Sequence, residues 1–366
     1  MSIYLIVTRP LKWSESKSVI YRCFQLAILF YILFEVIYNQ RYLKTEAPVP
    51  AAVRITLQAP NNFANFAAPS YCNVSLPCTF WGANEVQFPS DGAGVAFFTT
   101  RASALNYPNL PGCNPLRVTS PSDPCFFSPT NNNVTILPKS YIGGIENYTM
   151  MIEHSIRGKA TSIAIRNGLM DGHLYDSNGK LIKTMTNSTR IVENPSADGD
   201  IFTVQEFLSA AGADLDAPST APGANKAAGE TYRSSGIVIA VVIEYLNAKY
   251  QEDQLYYNYR PRIIDGNEYK VTENLVNGTD GSVTLVDRHG IRFVFQQTGT
   301  IGVFDFVTLL TALVASFTLL KVAEIIVEQI MLRFLPEKQT YEEIKFVETE
   351  YKRGEGVEVK PTKSEV

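Results

Sequence analysis

Ionisable side chains are unusual inside apolar runs, and the run at residues 304–335 (FDFVTLLTALVASFTLLKVAEIIVEQIMLRFL) contains several. Lys321, Glu324 and Glu328 follow an uncharged stretch, 306–320, and Arg333 closes the run. Charges within a membrane span are costly, and they face other helices or water. Thr308, Thr311, Ala315 and Thr318 recur at spacings of three and four, so they share one face of a helix. Hydroxyls, small side chains and carboxylates along one stripe suit a narrow wet path for cations. They equally suit an anchor helix that packs closely on a neighbour.

Other chemistry is poorly represented. His154, His173 and His289 are scattered, form no metal-ligand spacing, and read as structural residues. There is no nucleophile elbow, no zincin motif and no phosphate-loop Gly-Lys-Ser/Thr, so no enzymatic activity is expected. Gly92-Ala-Gly94 lacks the third glycine and the helix of a dinucleotide loop. No cofactor or resident metal is expected. Cys72, Cys78, Cys113 and Cys125 fall in one region at spacings unlike a zinc site. They read as disulfide cysteines of an oxidising compartment, with the pairing left open. Glycosylation tripeptides at Asn73, Asn133, Asn147, Asn187 and Asn277 all fall in the middle of the chain, as in a lumenal or extracellular domain.

These groups need elements to hold them. Hydrophobic residues make up 45% of the 366 and charged ones 19%, which excludes a disordered or collagen-like chain. A net charge of -4 with no basic stripe excludes nucleic acid as a partner. Nineteen tyrosines and twenty phenylalanines favour strands. Residues 18–38 (SVIYRCFQLAILFYILFEVIY) form a second candidate span, whose exit lacks the small-residue pattern of a cleaved signal peptide. Arg9, Lys12, Lys17 and Arg22 precede or open it, against Arg41 and Lys44 after it, which places residues 1–17 in the cytosol. With a second span the tail at 336–366 returns there.

The middle, 39–302, is predicted to be β-rich. Strands are expected at 52–57, 147–156, 163–168, 236–245 and 282–296. One soluble helix is expected within 202–211, with Gly212 as its C-cap. Residues 59–137 read as a stapled, loop-rich subregion, and 213–230 as a low-complexity mobile loop.

In that setting the residues from Arg22 onward, RCFQLAILFYILFEVIYNQRYLKTE, resemble the first span and exit of the ionotropic purinergic receptors, the ATP-gated cation channels. Glu146-Asn-Tyr-Thr149, Ala211-Gly212, Gly236-Ile-Val-Ile, Asn258-Tyr-Arg260, Gly290-Ile-Arg-Phe293 and Phe304-Asp305 follow in the family's order. Tyr341-Glu-Glu-Ile-Lys345 is similar to its cytosolic Tyr-x-x-x-Lys motif. The cysteine pattern departs from that of the animal members, so the resemblance is to a divergent, non-animal member.

The resemblance implies two transmembrane helices, 18–38 and 303–335, flanking a large β-rich ectodomain in a trimeric channel architecture. It implies a homotrimer in contact with lipid, permeant cations, and extracellular or lumenal ATP, with or without Mg2+, held between subunits. It places the second helix around the pore, with Thr311, Ala315 and Thr318 at the gate and Glu324 and Glu328 near the cytosolic mouth. Both termini are cytosolic, in the plasma membrane rather than a vacuole membrane. It carries ATP contacts onto Thr149, Asn258 and Arg260. The family's Lys-x-Lys falls on Thr56 and Gln58, and its last phosphate lysine on Asp287. Arg54 and Arg288 are the nearby substitutes. The alternatives are the same architecture with another ligand, or a non-conducting two-span scaffold.

Overall fold

The computed structural model describes residues 3–8, 15–61, 69–89, 92–107, 119–123, 134–186, 188–189, 199–248, 251–277, 282–334, 346–351 and 358–359. Side-chain surroundings are further undescribed for 3–8, 15–25, 248, 251–253, 320, 323–324, 327–328, 330–332, 346–351 and 358–359. The chain divides into two units, Thr45–Gly302 and the paired ends Met1–Lys44 and Val303–Val366. The strands in chain order are β1 (Ile3–Thr8), β2 (Leu43–Glu46), β3 (Val49–Gln58), β4 (Cys78–Thr79), β5 (Val95–Tyr107) and β6 (Thr135–Ile142). Next come β7 (Thr149–Arg157), β8 (Ala164–Arg166), β9 (Asp171–Tyr175), β10 (Leu181–Met185), β11 (Asp200–Thr203) and β12 (Ile237–Ala248). The last are β13 (Gln251–Ile263), β14 (Lys270–Val276), β15 (Val283–Gly299), β16 (Ile301–Phe304), β17 (Phe346–Tyr351) and β18 (Glu358–Val359). Three longer helices are α1 (Glu15–Tyr38), α2 (Val204–Ala211) and α3 (Phe306–Phe334).

The middle unit is built on two sheets. One has nine strands in the order β10-β9-β13-β12-β15-β5-β6-β4, with β14 also on β15. The other sets β3 on one side of β7 and β11 and β8 on the other. Alternation explains the smaller sheet: in β7 Met150, Ile152, His154 and Ile156 are buried while Thr149, Met151, Glu153 and Ser155 are partly exposed. β5 shows the opposite pattern, with Ala96 to Ala102 buried without a break. It lies between β15 and β6 and is covered on both faces, so it shows no period-two signal. The loop-rich reading of 59–137 is therefore corrected, because that segment supplies a central 13-residue strand. Gly290 marks a register shift between β15 and β5, where a Cβ would collide with the Phe98 carbonyl.

Helix α2 is fixed at both ends by local chemistry. The Thr203 hydroxyl accepts the Glu206 N–H at 3.1 Å while the Glu206 carboxylate accepts the Thr203 N–H at 2.7 Å. Gly212 ends it at φ 70°, a left-handed conformation that glycine adopts without steric cost. Phe207 and Leu208 bury themselves in the shared core beside Phe202, Tyr259 and Phe293. The segment read as a mobile loop, 213–230, is instead packed. Leu215 and Ala221 are buried, the Ser219 N–H donates to the Glu230 carbonyl, and the Arg233 N–H donates to the Leu215 carbonyl. Small and polar residues hid that order, because hydrogen bonds rather than apolar periodicity create it.

A buried polar hub joins the two sheets. Asp200 Oδ2 on β11 accepts the Tyr257 hydroxyl at 2.5 Å, the Tyr259 hydroxyl at 2.8 Å and Asn167 Nδ2 at 3.1 Å. Tyr259 spends its proton on Asp200, so His154 Nε2 donates to the Tyr259 oxygen at 2.8 Å. His154 Nδ1 is then an acceptor for the Tyr245 hydroxyl at 2.7 Å, and Gln297 Nε2 donates to the Tyr245 oxygen at 2.7 Å. The expected structural role of His154 is this one.

In the other unit, the Asp305 carboxylate accepts the Thr308 N–H and hydroxyl at 2.8 and 2.7 Å, capping α3. The two chain ends share a small sheet in which β1 runs antiparallel to β17, and β17 to β18. No pattern in the short, low-contrast tails announces that pairing. Among the described residues, no helix is long and apolar enough to cross a membrane.

Candidate functional site

The outer face of the smaller sheet holds the first group of expected ligand contacts. Thr149 stands directly across from Gln58 on β3 and from Thr203 on β11. Met151 stands across from Thr56 and Ile201. Around Thr149 the face is therefore neutral, with hydroxyls, an amide and a thioether. Its first cation is Arg54, across from Glu153, with Nη1 3.6 Å from the carboxylate and a side chain 75% exposed. The edge of β3 is partly satisfied by a side chain. Gln87 accepts the Leu57 N–H at 2.8 Å and donates to the Ile55 carbonyl at 2.9 Å.

The second group lies on the nine-stranded sheet. Asn258 is interior, 3% exposed, in register with Glu244 on β12 and His173 on β9, and among the described residues its Oδ1 has no hydrogen-bond partner. Arg260 is half-exposed, 3.2 Å from Glu244, with its guanidinium over the Tyr175 ring. Arg288 is buried. It forks onto Glu273 at 2.7 and 2.6 Å, donates to the Glu85 carbonyl at 2.8 Å, and lies over the Trp81 and Phe88 rings. Asn258 and Arg288 are thus interior, Arg288 already paired with Glu273, while Arg260 is the exposed one of the three. The groups on the two sheets are not brought together within one chain among the contacts described.

Sequence reasoning passed over two exposed cations at these surfaces. Lys270 opens β14 in register with His289 on β15, beside Asp287 and Arg288. Arg166 on β8 stands across from Ser155. The signal for Lys270 was the Asp265-Gly266-Asn267 turn followed by alternation in β14. His289 Nδ1 donates to the Ser235 carbonyl, 3.0 Å away, and burial lowers its pKa below the ordinary histidine value. Another buried cation, Arg233, is 2% exposed. It pairs with Asp216 at 2.7 Å and with Glu146, and stacks 3.6 Å from the Tyr71 ring. Burial, with Glu146 nearby, pushes the Tyr71 hydroxyl up to about 12.

On α3, Thr311 and Ala315 line a cleft of about 460 Å³ with Thr308, Ala312 and Ser316, facing Ile32 and Glu35 of α1. Thr318 is exposed, and its hydroxyl donates to the Val314 carbonyl at 3.0 Å. The side chains of Glu324 and Glu328 lie outside the described residues. So do Asn133, Asn187, Cys113, Cys125, Tyr341 and Lys345. Asn73, Asn147 and Asn277 are exposed, and Cys72 and Cys78 form a disulfide.

A profile of the ATP P2X receptors matches residues 125–348, more than half of the chain. P2X receptor B of Dictyostelium discoideum is 30% identical over 347 residues, covering 91% of this chain and 87% of that one. The chain belongs to the P2X receptor family. P2X receptor E of the same organism is 28% identical over 343 residues, covering 90% of this chain and 83% of that one. A chicken ATP-gated P2X7 receptor channel, solved with the competitive antagonist TNP-ATP, shares the fold. Its TM-score is 0.52 at 15% identity, over 88% of this chain and all of that one. P2X receptors are ligand-gated membrane channels and not enzymes. The expected membership of a divergent, non-animal branch is borne out.

Proposed function

We propose that this chain is one subunit of a homotrimeric, ATP-gated, cation-permeable channel, with both termini cytosolic and the β-rich unit outside the cytosol or in a lumen. The observation that carries the reading is the family match over 125–348, in a chain whose β-rich unit is bracketed by α1 and α3. Both helices are proposed to span the membrane. Leu29, Phe30, Phe34 and Ile37 on α1, and Phe306, Leu310, Val314, Phe317, Val322 and Ile326 on α3, are exposed. So much exposed apolar surface needs lipid or protein against it. The split of expected ligand contacts between two sheets supports a site completed by a second subunit, with Thr149 on one side and Arg260 on the other.

In this reading α3 lines the conduction path, Thr311, Ala315 and Thr318 form its narrow part, and Glu324 and Glu328 raise the local cation concentration at the cytosolic mouth. Lipid surrounds α1 and α3, and the plasma membrane is the proposed location. The test is a thiol block. Cells expressing Thr311→Cys or Ala315→Cys are clamped while nucleotide and a charged thiol reagent are applied. Irreversible loss of the evoked current is expected. A current that survives modification of both cysteines removes α3 from the pore.

A further inference from the structure

We infer that Glu46 is a positioning residue for opening: its carboxylate clasps the tip of the β7–β8 hairpin and so ties the strand that carries Thr149 to the stretch of chain leaving α1. The inference rests on the proposed reading that a ligand near Thr149 opens a pore.

Glu46 ends β2, between the end of α1 at Tyr38 and the start of β3 at Val49. Both of its carboxylate oxygens are engaged. Oε2 accepts the Lys159 N–H at 3.0 Å and the Ala160 N–H at 2.7 Å, while Oε1 accepts the Thr161 N–H at 2.8 Å together with the Thr161 hydroxyl. Successive backbone N–H groups turned onto one carboxylate form an anion nest. Hydrogen bonds to an ionised acceptor are also the strong ones. The turn is shaped for this occupant. A Cβ at Gly158 would stand 2.5 Å from Glu46 Oε1 and would collide with the Thr161 hydroxyl. The Gly158 N–H donates to the Ile163 carbonyl at 2.8 Å, which closes the turn at its base.

The clasp lies where the neighbouring ladder is irregular. β7 pairs with β8 from Ser155 to Arg157 on one side. On the other it pairs with β3, from Thr149 across from Gln58 to Arg157 across from Val49. That ladder is regular from Gln58 back to Val53 and then shifts register between Val53 and Pro50. Such irregularities leave residues unpaired and let a strand bend, and Pro50 has no N–H to donate. A pull along β7 is therefore passed on poorly to the first residues of β3. Glu46 bypasses that stretch and joins the end of β7 directly to the segment before β3. Thr149 is the first residue of β7 and Gly158 follows its last, so a single strand of about 30 Å separates the ligand contact from the clasp.

The experiment compares two readouts on the full chain. One is ATP binding to purified protein in detergent, by competition with a fluorescent ATP analogue. The other is whole-cell current at saturating ATP, divided by the amount of chain at the cell surface. Glu46→Gln is expected to keep half-maximal binding within about three-fold of wild type and to cut the normalised current about ten-fold, the effect of losing one charge-assisted contact. Glu46→Asp keeps the charge and is expected to recover part of that current. Thr161→Val removes only the hydroxyl, and is expected to lower the current less and to add nothing in the Glu46→Gln background. Wild-type current from Glu46→Gln overturns the inference. So does a loss of binding that matches the loss of current, since general damage to the unit produces that result. No current from the wild-type chain at any ATP concentration overturns the opening reading itself, and the inference with it.

Discussion

Replacing Asp200 by alanine removes the acceptor at the centre of the polar hub. Asp200, Tyr257 and Tyr259 are fully buried, and Asn167 is 1% exposed. The substitution takes the shared acceptor from the Tyr257 and Tyr259 hydroxyls and from one N–H of Asn167, whose Nδ2 still reaches the Ile152 carbonyl at 2.9 Å. Each buried donor left without a partner costs about 1–3 kcal/mol. Relief from burying a carboxylate offsets part of the sum, which leaves about 3–5 kcal/mol, the usual size for breaking a buried charge network. Against a total stability of about 5–15 kcal/mol, that is a large fraction. For a unit of this size the melting temperature of the purified chain is expected to fall by about 6–15 °C.

Tyr257→Phe sharpens the test. Alone it removes one of three donors and destabilises modestly. In the Asp200→Ala background it removes a buried hydroxyl that has lost its carboxylate acceptor and is expected to recover part of the loss. This change of sign defines a coupled pair. A fall under about 2 °C for Asp200→Ala, or further destabilisation by Tyr257→Phe in that background, refutes the hub as described.

Other expectations concern pH and a second buried cation. The Glu46 carboxylate accepts the Thr161 hydroxyl and the N–H groups of Lys159, Ala160 and Thr161, and the Thr161 hydroxyl foremost draws its pKa from 4.5 down to about 2. A lowered carboxyl pKa gives stability that is present above about 4.5 and lost as pH falls towards 2. The protection of the 159–161 amides, taken relative to the intrinsic exchange rate at each pH, is therefore expected to fall across that window in wild type. Glu46→Gln should show weak protection that does not change with pH, and identical protection profiles for the two proteins contradict the assignment. Arg233→Met leaves Glu146 without its buried cation and is expected to cost about 3–5 kcal/mol, with Arg233→Lys intermediate because it keeps charge but not the fork. Equal melting temperatures for all three proteins would show that the cluster is dispensable.

The extent to which sequence reveals this molecule depends on the kind of interaction involved. Thr203, Glu206 and Gly212 carry their own local instructions, so α2 and its ends were legible. β7 alternates and β12 is β-branched, and both strands stand where those patterns place them. β5 was hidden by burial on both faces. The packing of 213–230 was hidden because backbone contacts such as Ser219 to Glu230 leave no trace in composition. The β1–β17 pairing joins the two ends of the chain, and local pattern is silent on such distant partners. At the candidate site, residue type located arginines but not their surroundings. Arg54 and Arg288 look equivalent as letters, yet one is exposed on a sheet face and the other is forked onto Glu273. Asn258 carried a motif match, but lying between β12 and β9 buries it. Arg166 and Lys270 had no motif to draw notice and became visible only when strand register placed them.

The central claim is that nucleotide opens a pore through this protein. Recording whole-cell current from cells that display the full chain at their surface, while ATP is stepped from low to saturating concentration, tests it most directly. The account predicts a graded, saturable inward current carried by cations. No current at any ATP concentration, with the chain verified at the surface, contradicts it.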